Sequence, residues 1–432
     1  NIGKYDAPDS LDKILDNALT VWEEQYGTGP SETTLALRFK GIVQRAVEQT
    51  GHRVAILVDE YDKPMLQAIG NEELQKEYRN TLKPFYGVLK TMDGYIKLGF
   101  LTGVTKFGKV SVFSDLNNLK DISMRRDYID ICGITDKELH RYFDKDLHTL
   151  ADVQGLDYET VCLEVQKRYD GYHFNFNTPG IYNPFSLLNT FDAMAFGSYW
   201  FATGTPSYLV YLLKKHHYRL EEIEKVEVTE DVLDSIDSEG TNPIPVIYQS
   251  GYLTIKDYDP EFGLYTLDYP NREVEAGFVK SLMPFYIDKS EAEAPFEIRR
   301  FVGEVRNGNI DGFFHRLQSF FADAPYEVIV GQDPVRNVEL FFQNVLFIVF
   351  RLAGFYTQVE YHTSRGRIDL VLKTDKFIYV MEFKQGATAE EALAQINEKG
   401  YADAFASDSR TLYKIGVSFS DEQRNIERWL AE

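Results

Sequence analysis

Cysteine is nearly missing from this chain. Two occur in 432 residues, Cys132 and Cys162. So few exclude a disulfide framework, and their wide spacing excludes a metal finger. A cytosolic, reducing compartment is the simple expectation. No apolar run approaches the roughly 20 residues of a membrane span, and no signal peptide is recognisable. Positive charge is scarce: 46 Lys and Arg stand against 67 Asp and Glu, a net charge of −21. A broad, sequence-independent grip on a phosphate backbone needs basic residues, so the balance argues against that class. It does not exclude a local basic groove on an acidic protein. The chain opens on Asn1 rather than Met, as a fragment of a longer protein would.

Apolar and aromatic residues are plentiful, at 44% and 14%. The length suits two to four domains. The strongest local signal lies near the end. Gly366-Arg367-Ile368-Asp369-Leu370-Val371-Leu372 and Phe377-Ile378-Tyr379-Val380-Met381-Glu382-Phe383-Lys384 flank a polar turn, Lys373 to Lys376. This pattern predicts a β-hairpin. Side chains alternate along a strand, so Glu382 and Lys384 share one face and Phe383 takes the other. Asp369 opens the neighbouring strand, and an Asp, a Glu and a Lys converge. Two carboxylates suit a hard divalent cation such as Mg²⁺. The cation lowers the pKa of a bound water and stabilises charge on a phosphoryl oxygen, while a lysine orients the water or offsets developing negative charge. The bland alternative is an exposed hairpin with charged ends.

The pattern Asp369-x(12)-Glu382-x-Lys384 resembles the PD-(D/E)XK nuclease superfamily, which cuts nucleic acid phosphodiesters. Three further features fit. Glu339 falls on a predicted helix before the hairpin, where the superfamily often has an extra acid. Gly366-Arg367 precedes the Asp. A helix after the Lys carries Gln395 and Tyr401, like the superfamily's trailing Gln…Tyr signature. The first motif is Ile368-Asp369, without a Pro, a common departure. The resemblance implies Asp369 and Glu382 as ligands of Mg²⁺ or Mn²⁺, and Asp369, Glu382, Lys384, Glu339 and Gln395 as the catalytic set. Glu360 is a further acid near the metal or a paired surface residue.

Toward the other end, Val54-Ala55-Ile56-Leu57-Val58 runs into Asp59-Glu60-Tyr61-Asp62. A continuous apolar run ending in acids predicts a buried parallel strand, and ligands bind at the carboxyl ends of such strands. It resembles the Walker B element of P-loop ATPases, in which Asp59 would support Mg²⁺ and Glu60 would polarise a water. The alternative is a buried strand whose acids serve the next turn. Ile96 to Thr102 predicts the following strand, with Thr102 or Thr105 placed to sense a γ-phosphate. Gly103 to Val110 matches the Gly-x(4)-Gly-Lys skeleton of a phosphate-binding loop. It fails at Val110, which stands where Ser or Thr should hold Mg²⁺, and it follows the Walker B-like strand instead of preceding it.

Four stretches then recur in order: Val58 to Pro64, Leu116-Asn117-Asn118-Leu119, Tyr169-Asp170-Gly171-Tyr172-His173-Phe174, and Tyr182-Asn183-Pro184-Phe185-Ser186. Together they resemble the bacterial AAA-ATPase-like proteins that carry a C-terminal PD-(D/E)XK nuclease domain. The match spans nearly the whole chain. In that family a P-loop lies near the N-terminus, upstream of Asn1; its absence here implies a fragment that has lost it or a degenerate member, and ATP is implied only where that loop is supplied.

The expected class is multidomain α/β. Residues 1–125 would form an incomplete P-loop-ATPase-like core, 126–235 a helical lid, and 236–290 a winged-helix-like module. A helical linker would follow over 291–330, and a restriction-endonuclease-like α/β/α domain over 331–432. Thr135 to Glu138 reads as a capping box, and Asn183 as a helix cap. His173 reads as a packing residue, and Arg125-Arg126 as surface arginines or an arginine finger. Val246 to Ile255 reads as a strand, Ser290 to Ala294 as a hinge before Pro295, Phe301 to Phe321 and Thr388 to Ala406 as helices, and Gln423 to Leu430 as a closing helix. The function implied is metal-dependent cleavage of DNA or RNA, regulated by the ATPase-like part. The alternative is an inactive nucleotide-sensing or assembly scaffold, with a homo-oligomer among its partners and no membrane.

Overall fold

The computed structural model describes residues 5, 7–68, 71–105, 116–203, 207–234, 242–286, 292–322, 334–354, 358–364, 367–420 and 422–432. The chain forms two compact units. The first joins Asn1–Cys132, His173–Pro179 and Glu227–Leu267; the second joins Gly133–Tyr172, Gly180–Val226 and Asp268–Glu432.

In the first unit, α1 (Ser10–Tyr26) packs on α2 (Leu35–Thr50). Thr34 starts α2 by accepting a hydrogen bond from the Leu37 amide. Strand β1 (Val54–Val58) pairs in parallel with β2 (Ile96–Leu101). A parallel pair needs a crossover, and α3 (Lys63–Gln67) and α4 (Glu72–Thr91) supply it. Leu74, Tyr78, Leu82, Phe85 and Leu89 recur at helical spacing on α4 and are buried. The sheet has these two strands only, among the described residues. Leu57 is 71% exposed and Leu98 53%.

A second small sheet in this unit is ordered β3 (Val226–Thr229), β5 (Leu264–Asp268), β4 (Thr254–Asp259). Val246 to Ile255 is not one strand. Ile244–Gln249 is a short helix, begun by Pro245 and by the Asn242 side chain, which accepts from the Ile244 amide. Short apolar runs fit either state, and the proline fixes the first helical turn.

In the second unit, the strands Ile134–Thr135 and Ile181–Tyr182 form a short antiparallel pair. Helices α5 (Asp136–Tyr142), α6 (Asp144–Gln154), α7 (Tyr158–Tyr169) and α8 (Pro184–Ala193) enclose Leu139, Leu147, Val161, Val165 and Leu187. The Thr135–Glu138 capping box and the Asn183 cap are both present. Helices α9 (Ser207–Lys215) and α10 (Arg272–Tyr286) lead to α11 (Ala294–Asn307), which holds Pro295 in its first turn, and α12 (Ile310–Ala322). Residues 287–291 lie outside the described ones, and with them Ser290 and Glu291 of the expected hinge. The expected single helix from Phe301 to Phe321 is broken at Gly308, whose φ of 74° suits a residue without a Cβ.

The chain ends in helix α13 (Pro334–Gly354), strands β6 (Gln358–Ser364), β7 (Arg367–Lys373) and β8 (Phe377–Gln385), helix α14 (Ala389–Lys399), and strands β9 (Thr411–Ser420) and β10 (Asn425–Ala431). The five strands lie in the order β10-β9-β8-β7-β6. Only the β8–β9 pair is parallel, bridged by α14. Residues 425–431 are thus a strand rather than the expected closing helix. Ile426 is buried while Glu427 and Arg428 are exposed, and the segment hydrogen-bonds along β9. Helix α14 stops earlier than expected, at Gly400, whose φ is 65°.

Candidate active site

The β7–β8 hairpin turns at Thr374. Its hydroxyl accepts from the Phe377 amide at 2.9 Å, and its own amide donates to the Phe377 carbonyl at 2.8 Å. This turn sets a register in which Glu382 stands directly opposite Asp369, and Lys384 opposite Arg367. Asp369 is the third residue of β7 rather than its opening one. On the other side of β8 the parallel register pairs Glu382 with Gly416. One row therefore crosses the whole sheet: His362, Asp369, Glu382, Gly416, Leu430.

The two faces of β8 differ. Phe383 packs against Phe314 of α12, Phe350 of α13 and Phe419 of β9, with ring centroids 5.9–6.4 Å apart. On the other face Ile378 and Val380 pack with Ile396, Ala402 and Tyr401, below α14. Glu382 shares that face by alternation and is fully buried; Lys384 is half-buried. A buried carboxylate calls for nearby positive charge or donors. Gly416 explains how α14 reaches the sheet there. A Cβ at this position would lie 2.1 Å from the Ala389 carbonyl oxygen and 2.5 Å from the Leu393 nitrogen. The sequence held a signal for it, a glycine inside an apolar strand.

Gln395 is half-buried on α14, beside the buried Ile396 and over the same sheet face as Glu382. Tyr401 lies in the apolar cluster. Glu339 is in α13 and Glu360 in β6, but their side chains, like that of Asp369, lie outside the described residues. Among the described residues no three His, Cys, Asp or Glu gather as a metal cluster. The oxygen donors of an opposed Asp and Glu are the type that Mg²⁺ or Mn²⁺ takes.

The acids at the end of β1 have a different setting. Asp59 Oδ1 accepts from the Thr102 hydroxyl at 2.6 Å, and the Tyr61 amide donates to the Thr102 carbonyl at 3.0 Å. Asp59 and Thr102 are thus brought together. Glu60 has a φ of 54° and pairs with Lys63 at 2.7 Å. Asp62, which sequence reasoning passed over, is 1% exposed. Its carboxylate accepts from the Thr105 amide at 2.5 Å, the Thr105 hydroxyl at 2.6 Å and the Val104 amide at 3.2 Å. Burial pushes its pKa up, and the Thr105 bonds pull it back. Gly103 leaves room for this knot, since a Cβ there would sit 2.6 Å from Asp62 Oδ1. Residues 106–110 of the Gly103–Val110 skeleton lie outside the described residues. Arg126 lies over the Phe176 ring, its guanidinium carbon 5.2 Å from the centroid, and Arg125 pairs with Asp127. His173 makes a 2.8 Å hydrogen bond to the Thr178 carbonyl, a packing role. No helix of the described residues is long and apolar enough to cross a membrane.

Residues 1–113 match a family described as AAA-ATPase-like, predicted AAA-ATPase, and residues 337–429 match the PD-(D/E)XK nuclease superfamily. The chain is 33% identical over 436 residues to an uncharacterized protein in the vnfD 5′ region of Azotobacter chroococcum mcd 1. That alignment covers 99% of this chain and 81% of the relative. No solved structure matches. The α-β-β-β-α-β-β order of the last hundred residues, the opposed Asp369 and Glu382 in its sheet and these matches agree, and the chain belongs to the family that joins an N-terminal AAA-ATPase-like region to a C-terminal PD-(D/E)XK nuclease superfamily domain.

Proposed function

We propose that the C-terminal domain hydrolyses phosphodiester bonds of DNA or RNA, with Mg²⁺ or Mn²⁺ held by Asp369 and Glu382. The observation that carries this reading is the fully buried Glu382, directly opposite Asp369 in the ladder. When bound, the ion supplies an activated water and stabilises charge on the phosphoryl oxygen. Lys384, two residues along the same face, orients the water or offsets that charge. Glu339 completes the acidic shell, and Gln395 lines the α14 side. In the N-terminal part, Asp59, Glu60 and Thr102 form the nucleotide-facing end of the ATPase-like core, which regulates cleavage and takes ATP together with a P-loop.

The test is Mn²⁺-supported cleavage of a mixed panel of DNA and RNA, with Glu382→Ala as control. Cleavage by the wild type that is lost in the variant supports the site; equal cleavage by both removes it. A second reading, an inactive sensing or assembly scaffold, draws on the net charge of −21. Calorimetry separates the two, since a folded chain that binds neither Mg²⁺ nor Mn²⁺ is the scaffold.

A further inference from the structure

Helix α13 is apolar nearly all round. Phe341, Phe342, Val345, Leu346, Phe347, Ile348, Val349 and Phe350 are all buried. Apolar packing is non-directional, and hydrogen bonds and ion pairs add direction to the seating of the helix. Directional contacts come from a few polar residues that α13 turns toward one short segment. Asn344 is 3% exposed. Its Oδ1 accepts from the Leu220 amide at 3.0 Å, and its Nδ2 donates to the Tyr218 carbonyl at 3.2 Å. Arg219 donates to Gln343 Oε1 from Nε at 3.2 Å and from Nη2 at 3.0 Å. Two turns further along α13, the Arg351 guanidinium pairs with Glu224 at 2.7 Å and with Glu275 at 2.8 Å.

The places these partners occupy in the chain are informative. The second unit gives way to the first after Val226 and resumes at Asp268. Glu224 lies just before the exit, and Glu275 in the first helix after the return. One arginine of the nuclease domain therefore holds both crossings. The same helix packs Phe350 against Phe383, the neighbour of Glu382.

We infer that Tyr218–Glu224 and Glu275 form a positioning device for the nuclease site: through Asn344 and Arg351 they set how α13 seats against the acid-bearing hairpin, so that displacement of either crossing is felt there. The inference rests on the nuclease reading for its consequence and on geometry alone for its mechanism.

The experiment measures Mn²⁺ binding by the full chain and hydrogen exchange across residues 367–385, in the wild type, Asn344→Ala, Arg351→Ala and Arg351→Lys. The expected result is that both alanine variants stay folded, weaken Mn²⁺ binding about tenfold, and exchange faster in the β7–β8 hairpin as well as in α13. Arg351→Lys keeps the charge but loses the fork and falls between. Glu275→Gln, which leaves the packing intact, carries the same expectation at smaller size should an alanine variant fail to fold. Unchanged exchange over 367–385 in the folded variants overturns the inference, whatever the metal does. A wild type that binds no Mn²⁺ overturns the nuclease reading instead, and hydrogen exchange then decides the coupling by itself.

Discussion

Two sheets in this chain carry acids, and they hold them in opposite ways. In the C-terminal sheet Glu382 sits on the central strand, with strands on both sides and helices over both faces. In the N-terminal pair the acids follow the end of a strand whose Leu57 is 71% exposed. Asp62 is buried there by a local knot of three hydrogen bonds from Val104 and Thr105 rather than by a sheet. Parallel strands are ordinarily covered on both faces, and a two-stranded pair is marginal by itself. A carboxylate already saturated by loop donors is fixing a loop. A carboxylate buried in a ladder opposite a second acid, as Glu382 is opposite Asp369, has no such loop to fix, and it is there that the proposed cation is to be tested.

The comparison is broken most directly at Glu382. Glu382→Ala should lower Mn²⁺-dependent cleavage on the order of a thousandfold, with the melting temperature unchanged or raised, since a buried charge is removed. A large drop in melting temperature would make Glu382 structural, like Asp62. Next comes Gly416→Val, which drives a side chain into the α14 backbone. Overpacking of this kind costs about 3 kcal/mol, visible as a lower denaturation midpoint with an unchanged slope. Asp62→Ala should destabilise by about 2 kcal/mol, because Thr105 and Val104 lose a buried acceptor, and should leave metal binding by the C-terminal domain as it was.

Smaller effects sharpen the picture. Burial pushes the Glu224 carboxyl up to about 7, with Glu275, Asp268 and Glu221 adding to the rise and Arg351 opposing it. Glu275 rises for the same chief reason, with Asp268 adding and Arg351 and Arg272 opposing; Tyr269 lies in the same cluster and is raised as well. The folded chain thus holds a proton that the unfolded chain releases from about pH 4.5 upward, so stability falls as pH rises toward 7. Glu224→Gln should flatten that slope, leaving the part due to Glu275, and stabilise the chain at pH 8 by about 1 kcal/mol, read from melting curves at several pH values. Least of all, Leu57→Ser should change stability by under about 0.5 kcal/mol, as an exposed position allows. A loss of several times that would show that the β1–β2 face is covered in solution.

Much of the C-terminal domain was legible. Twelve residues between Asp369 and Glu382, four of them a polar turn, already bring the two acids opposite one another. The alternation of β8 assigned Phe383 to one face and Glu382 with Lys384 to the other. What escaped was decided by distant contact. Residues 425–431 read as helix until β9 is present to pair with them. The stretch from Val246 was settled by one proline and one cap, not by its apolar content. Gly416 stood out as a glycine inside an apolar strand, but what lies on it, Ala389 and Leu393 of α14 more than twenty residues upstream, is not written in spacing along the chain. Asp62 was overshadowed by Asp59 and Glu60, since burial by a following loop leaves no periodic mark.

The single parallel pairing in the C-terminal sheet has a consequence for synthesis. The Asp369–Glu382 hairpin is finished by residue 385, yet the strand that flanks Glu382 on its other side begins at Thr411, after the whole of α14. A ribosome therefore releases the acid pair well before its enclosure. Non-local parallel pairing is slow to form, so the carboxylate that ends fully buried spends the interval at an open strand edge. The nascent chain carries the hairpin without its cover, and the burial of Glu382 is complete only when α14 and the later strands dock.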